Sequence, residues 1–149
     1  MTALQISILG SPEFLMDGVP LKGFLSNKVR AIMIYLAIEY PRPHQRQALA
    51  ALFWPEHSAT AAKTNLRRAL SNLRKVINDD KNHFLEVTRQ SLQLNSGANI
   101  YVDALEFDRL LADPNPNQIE LEQASNLFKG RFLHGFSLAD SIALDEWVL

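Results

Sequence analysis

Residues 58–78, SATAAKTNLRRALSNLRKVIN, leave this chain little conformational choice. The run contains neither Gly nor Pro. It opens on Ser58, whose hydroxyl can accept from the first free amides of a helix. Ala62, Leu66, Ala69, Leu70, Leu73 and Ile77 recur at helical spacing. At ~100° per residue they form a single apolar stripe, and a stable fold has to cover it.

The remaining surface of that helix is basic. Thr64, Arg68, Ser71 and Lys75 lie opposite the stripe, Arg67, Asn72 and Arg74 on its shoulders, and Lys63 near its start. No acidic residue occurs in the helix before Asp79. A solvated helix usually mixes signs, because like charges one turn apart cost a few tenths of a kcal/mol per pair. A polyanion would remove that repulsion. Long cations interleaved with small hydrogen-bonding residues also suit a DNA major groove. Arg reaches guanine edges and phosphates, while Thr, Ser and Asn reach groups closer in. An ordinary basic surface helix fits these residues equally well when they are taken alone, so the flanking segments have to decide.

Upstream, LQISIL alternates apolar and polar residues and ends at Gly10-Ser11-Pro12, which predicts a short strand and a turn. Residues 13–16 and 19–21 flank Asp17-Gly18, a hairpin signal. Ser26 or Asn27 is placed to cap a helix through Glu39, with Val29, Ile32, Met33, Leu36 and Ala37 inward, stopped by YPRP. A shorter helix spans 45–53, with Leu49, Leu52 and Phe53 inward, and WPEH forms a tight loop before the basic helix. Downstream, 84–88 and 92–95 read as strands of a hairpin with Arg89 at its turn, and 100–102 as a last short strand. A helix pair followed by a hairpin is the order of a winged helix-turn-helix. The predicted class is therefore α+β.

The net charge of −1 conceals an asymmetry, with +5 up to residue 98 and −6 from Asn99 onward. That division predicts a DNA-binding domain over 1–98 and a different, acidic module over 99–149. In the second part, Asp103 is placed to cap a helix over 104–112, and a further helix covers 119–129 with Leu121, Ala124, Leu127 and Phe128 inward. Asp140 is placed to cap a third helix over 141–149. The sequence stops inside that helix without a C-cap signal, which reads as an antiparallel helical array cut short. Phe132, Phe136 and Trp147 are expected to pack between these helices, and Trp54 in the core.

Several function classes are disfavoured. No Cys is present, so disulfides, thiol catalysis and Cys-ligated metals are excluded. No apolar run approaches the ~20 residues of a membrane span, and the first residues lack a basic signal-peptide region; a cytoplasmic location is expected. His44, His57, His83 and His134 show no metal-ligand spacing and read as surface or cap residues, and Asp79-Asp80 as a loop. Neither GxGxxG nor a P-loop occurs, and no serine has a readable base partner. The expectation is no enzyme, no metal and no cofactor. The rival class is a protein-interaction module whose basic helix docks an acidic partner or the chain's own acidic helices.

The runs QALAALFW and WPEHSATAAKTNLRRALSNLRKVIND, the opening GSPEFLMDG and the later LFKGRFLHGFSLADSIALDEW together resemble bacterial transcriptional activators of the antibiotic-regulatory-protein type. Nearly the whole chain takes part in the likeness. It implies an OmpR/PhoB-like winged helix followed by the first helices of a truncated, all-α, tetratricopeptide-like bacterial transcriptional activator domain. The implied function is a transcription regulator that binds promoter direct repeats, sits side by side with a second copy on DNA, and contacts RNA polymerase. The recognition helix would be 59–78, in the major groove, and the wing 84–95, at the minor groove. DNA-contacting residues would be Lys63, Thr64, Arg67, Arg68, Ser71, Asn72, Arg74, Lys75 and the wing arginine Arg89. The loop 54–58 would approach the polymerase.

Overall fold

The computed structural model describes residues 3–79, 83–112 and 117–127. In chain order the elements are β1 (Leu4–Ser7), β2 (Glu13–Met16), β3 (Val19–Pro20), α1 (Asn27–Ile38), β4 (His44–Gln45), α2 (Arg46–Phe53), α3 (Ala59–Ile77), β5 (Leu85–Val87), β6 (Ser91–Leu94), β7 (Ile100–Val102), α4 (Asp103–Leu111) and α5 (Gln118–Leu127). They divide into two compact units. Among the described residues, one joins 3–20 with 99–127, and the other comprises Leu21–Ala98.

The first unit holds a four-stranded sheet in the order β3-β2-β1-β7. β1 and β2 pair antiparallel with Leu4 opposite Met16 and Ser7 opposite Glu13. The β2–β3 turn is Asp17-Gly18, with φ of 51° and 82°. Both values suit the mirror-image turn that matches strand twist, and Asp and Gly tolerate them. β7 pairs parallel with β1, so the opening hairpin is completed by a strand from beyond residue 98. Asp103 corrects the sequence reading. Val102 is the N-cap of α4 and Asp103 lies inside the helix. Its carboxylate accepts from Ile8 N at 2.8 Å and Leu9 N at 3.1 Å instead. Both amides belong to residues just past β1, which would otherwise be buried without partners. α4 packs on α5 with Leu110 and Ala124 buried, whereas Leu121, expected inward, is 48% exposed. The expected third helix, and with it Phe128, Phe132, His134, Phe136 and Trp147, lies outside the described residues.

The second unit is built on α1. Ser26 Oγ accepts from Val29 N at 3.4 Å. Ala31 and Ile34 are buried along with the five expected positions, so α1 is enclosed on more than one stripe. α3 packs against α1 and α2 through the whole expected stripe, with Leu66 and Leu73 at most 1% exposed. Burial of each large aliphatic residue in that stripe contributes about 1.5–3 kcal/mol. Trp54 closes the end of α2 as a buried residue, with the Lys28 ammonium 5.3 Å from its ring centre.

The three-stranded sheet has the order β4-β6-β5. The β5–β6 hairpin runs Leu85 opposite Leu94 to Val87 opposite Leu92. β4, two residues long and without a signature in the local pattern, pairs His44 with Leu92 and Gln45 with Ser91. The hairpin is thereby attached to the start of α2.

Candidate nucleic-acid interface

α3 is defined at both ends. Ser58 Oγ accepts from Ala61 N at 3.2 Å. At the far end Asn78 adopts the left-handed conformation, φ 54° and ψ 45°. Asp79 N then reaches Arg74 O at 2.8 Å and Asn78 N reaches Lys75 O at 3.3 Å, a Schellman closure with Asn in the usual Gly place. Arg74 and Lys75 sit in the last turn, where the helix dipole favours cations.

Asp79 joins the helix to the hairpin. Its buried carboxylate accepts from His83 N at 2.7 Å, Phe84 N at 3.2 Å and Leu85 N at 2.8 Å. Asp79 thereby fixes the start of β5 against the end of α3. Asp80 lies outside the described residues.

The basic face is presented to solvent. Lys63, Arg67, Arg68, Ser71 and Lys75 are exposed. None of these four cations, nor Arg89, forms an ion pair among the described residues. Arg74 is half-buried. Thr64 is half-buried and turns its hydroxyl proton back onto Thr60 O at 3.1 Å, which leaves the oxygen as an acceptor.

Asn72 departs from the expected group. It is only 8% exposed, and its amide is engaged within the fold. Oδ1 accepts from Leu25 N at 3.0 Å, and Nδ2 donates to Gly23 O at 3.0 Å. It faces the segment between β3 and α1 and holds α3 in place.

Arg89 is exposed at the hairpin tip, which is locked by Thr88. Thr88 Oγ1 accepts from Ser91 N at 2.8 Å and Gln90 N at 3.2 Å, and Thr88 N donates to Ser91 O at 2.9 Å. A cleft of about 580 Å³ is lined by Lys63, Arg67, Arg89 and Gln90 together with Gln45, Arg46, Gln47 and Leu66. Helix cations and the tip arginine therefore border one space. A second cleft of about 570 Å³ runs along the C-terminal half of α3, with Arg46, Arg67, Ser71, Arg74 and Lys75 in its walls. Arg46 was missed in the sequence, where it is merely the start of a short helix.

His44 also differs from an ordinary surface histidine. Its ring sits edge-on to Tyr35 at 5.1 Å, and its Nε2 is buried without a hydrogen-bond partner among the described residues. Burial lowers its pKa from 6.5, opposed by Glu39 and assisted by Arg42. Among the described residues no cluster of His, Asp and Glu could hold a metal ion, and no helix is long and apolar enough to cross a membrane.

No protein-family model and no curated protein sequence matches the chain. Among solved structures it is similar to Mycobacterium tuberculosis EmbR, determined in complex with a low-affinity phosphopeptide, with a TM-score of 0.75 and 22% sequence identity. The match covers 99% of this chain and 41% of the EmbR chain, so this chain spans about two fifths of its neighbour's length. What the two share is the fold, a mixed α+β arrangement that here has five described helices and two sheets.

Proposed function

We propose that the chain is a sequence-specific duplex-DNA-binding transcription regulator of the winged helix-turn-helix, OmpR/PhoB-like kind. α3 is the recognition helix in the major groove, and the β5–β6 hairpin is the wing at the minor groove. The observation that carries this reading is one row of cations that form no ion pair among the described residues. Lys63, Arg67, Arg68 and Lys75 lie exposed on a helix whose opposite side is buried, with Arg89 bordering the same cleft as Lys63 and Arg67. Fixed, solvent-facing cations of one sign are matched by the phosphate backbone of a duplex.

Within this reading Arg67, Arg68, Ser71 and Lys75 face the bases or phosphates, with Thr64 as an acceptor at closer range. Asn72 serves as a brace rather than a reader. The regulator acts in the cytoplasm as an activator on direct repeats, with a second copy alongside and RNA polymerase approached by the loop 54–58. The acidic helices α4 and α5 belong to an all-α, tetratricopeptide-like activator domain.

Selection of bound sequences from random duplex DNA tests this directly. Wild type should enrich one motif, and the Thr64→Ala, Arg68→Ala and Ser71→Ala variants should blur particular positions of it. No enrichment, together with retention on an acidic protein surface, would establish the protein-docking reading instead.

A further inference from the structure

Arg46 lies where the two basic clefts meet. It lines both, as does Arg67. Its backbone N–H donates to Gln90 O at 2.9 Å, and its Nη1 donates to Thr88 O at 3.1 Å. One residue therefore grips the hairpin tip on both sides of Arg89. The side chain is half-buried and its guanidinium is held in one place.

A guanidinium carries five N–H donors. Thr88 O takes one of them, and no carboxylate meets the rest among the described residues. Asp79 also lines the cleft along α3, but its carboxylate already accepts three backbone amides. Arg46, Arg67 and Lys75 border this space and form no ion pair among the described residues. A fixed guanidinium beside a second one offers the planar, multi-donor geometry that phosphate oxygens accept.

We propose that Arg46 seats a DNA backbone phosphate between α3 and the wing tip, in the clefts it shares with Arg67. This rests on the DNA-binding reading and adds a contact outside the recognition helix. The contact fixes the register of the duplex and carries no base preference.

The test uses the full chain, mixed-sequence duplex DNA and a salt titration of affinity. Wild type is compared with Arg46→Gln, which keeps a donor for Thr88 O but no charge, and Arg46→Lys, which keeps the charge. Arg46→Gln should flatten the log–log salt slope by about 0.9, so that its affinity falls about eightfold less per tenfold rise in salt. The loss of affinity should be uniform across sequences, and Arg46→Lys should keep the wild-type slope. An unchanged slope in Arg46→Gln overturns the phosphate seat while leaving DNA binding intact. Absence of duplex binding by wild type overturns the DNA reading and the seat together. Should Arg46→Gln fail to fold, the Arg46 Nε–Hε resonance of the wild-type chain decides. Added duplex should shift it. A shift with inorganic phosphate but none with duplex, or no shift with either, overturns the proposal.

Discussion

Asn72 accepts the backbone N–H of Leu25 at 3.0 Å and so ties α3 to a segment 47 residues earlier in the chain. The other end of the same amide donates to Gly23 O at 3.0 Å. A residue on the shoulder of the basic face therefore sets where that face stands. Asn72→Ala leaves one donor and one acceptor without partners in a part-buried site. It should destabilise the chain by about 1–3 kcal/mol. Asn72→Asp keeps the bond to Leu25 but sets a carboxylate oxygen against Gly23 O, and should cost at least as much. Urea denaturation of both variants checks this. Wild-type stability in both would remove Asn72 as a brace.

Asp79 gathers three amides at the junction of α3 and β5. Asp79→Ala strands them, two of them in buried positions, and should cost about 1.5–3 kcal/mol, the range for hydrogen bonds to a charged group. Asp79→Asn can still accept through one oxygen and should fall between wild type and Ala. Hydrogen exchange offers a local check. The amides of His83, Phe84 and Leu85 should lose protection in Asp79→Ala before the α1 core does.

These two residues show what was and was not legible in the sequence. α3 could be read almost entirely, since its Ser58 cap and apolar stripe are local signals, and the stripe is buried as expected. Asn72 read as a surface polar residue because its partners lie 47 and 49 residues away. Asp103 read as a cap because an Asp before an amphipathic run usually is one. Its actual acceptor role, toward Ile8 and Leu9, spans 95 and 94 residues. β4 is too short to show an alternation, and the hold of Arg46 on the hairpin tip depends on that strand pairing. Helical periodicity thus carried the candidate face, while the contacts that position it are long-range and leave no mark on local pattern.

Ile8 and Leu9 provide an independent check in the other compact unit. Asp103→Asn would keep one acceptor but turn an amide N–H₂ toward one of these backbone N–H groups. It should destabilise the sheet by about 1–3 kcal/mol. Faster hydrogen exchange confined to the amides of Ile8 and Leu9 would support this assignment. Equal rates in variant and wild type would show that other acceptors serve those amides.

His44 should make stability pH-dependent. Burial depresses its folded-state pKa below 6.5, so the unfolded chain binds the proton first as pH falls. The unfolded state then holds more protons, and stability rises with pH in that window. The stability contributed by neutral His44 is full above pH 6.5 and declines between that value and the depressed one. Glu39 opposes the shift and Arg42 adds to it, while Tyr35 is the ring against which the imidazole packs. His44→Phe removes the titration and keeps an aromatic edge for Tyr35. Its melting temperature should fall less than that of wild type between pH 7.5 and pH 5.5, a span set around the ordinary histidine value of ~6.5. Parallel curves for the two proteins would assign the pH dependence to other groups.

Under the proposed DNA-binding function, Arg68 is the position that separates base reading from general attraction to phosphate. It is exposed, unpaired among the described residues and opposite the buried stripe, so its replacement leaves the fold unchanged. If it bonds a guanine edge with both arms, Arg68→Ala should lose about 1–3 kcal/mol on the selected motif and much less on mixed-sequence DNA. Arg68→Lys retains the charge but not the planar fork. It should keep the wild-type salt slope while losing preference at one base position. Competition between the selected duplex and single-position substitutions of it measures both quantities. If Arg68→Lys discriminates among those duplexes as wild type does, Arg68 touches only the backbone, and base reading passes to Arg67, Ser71 and Lys75 on the same face.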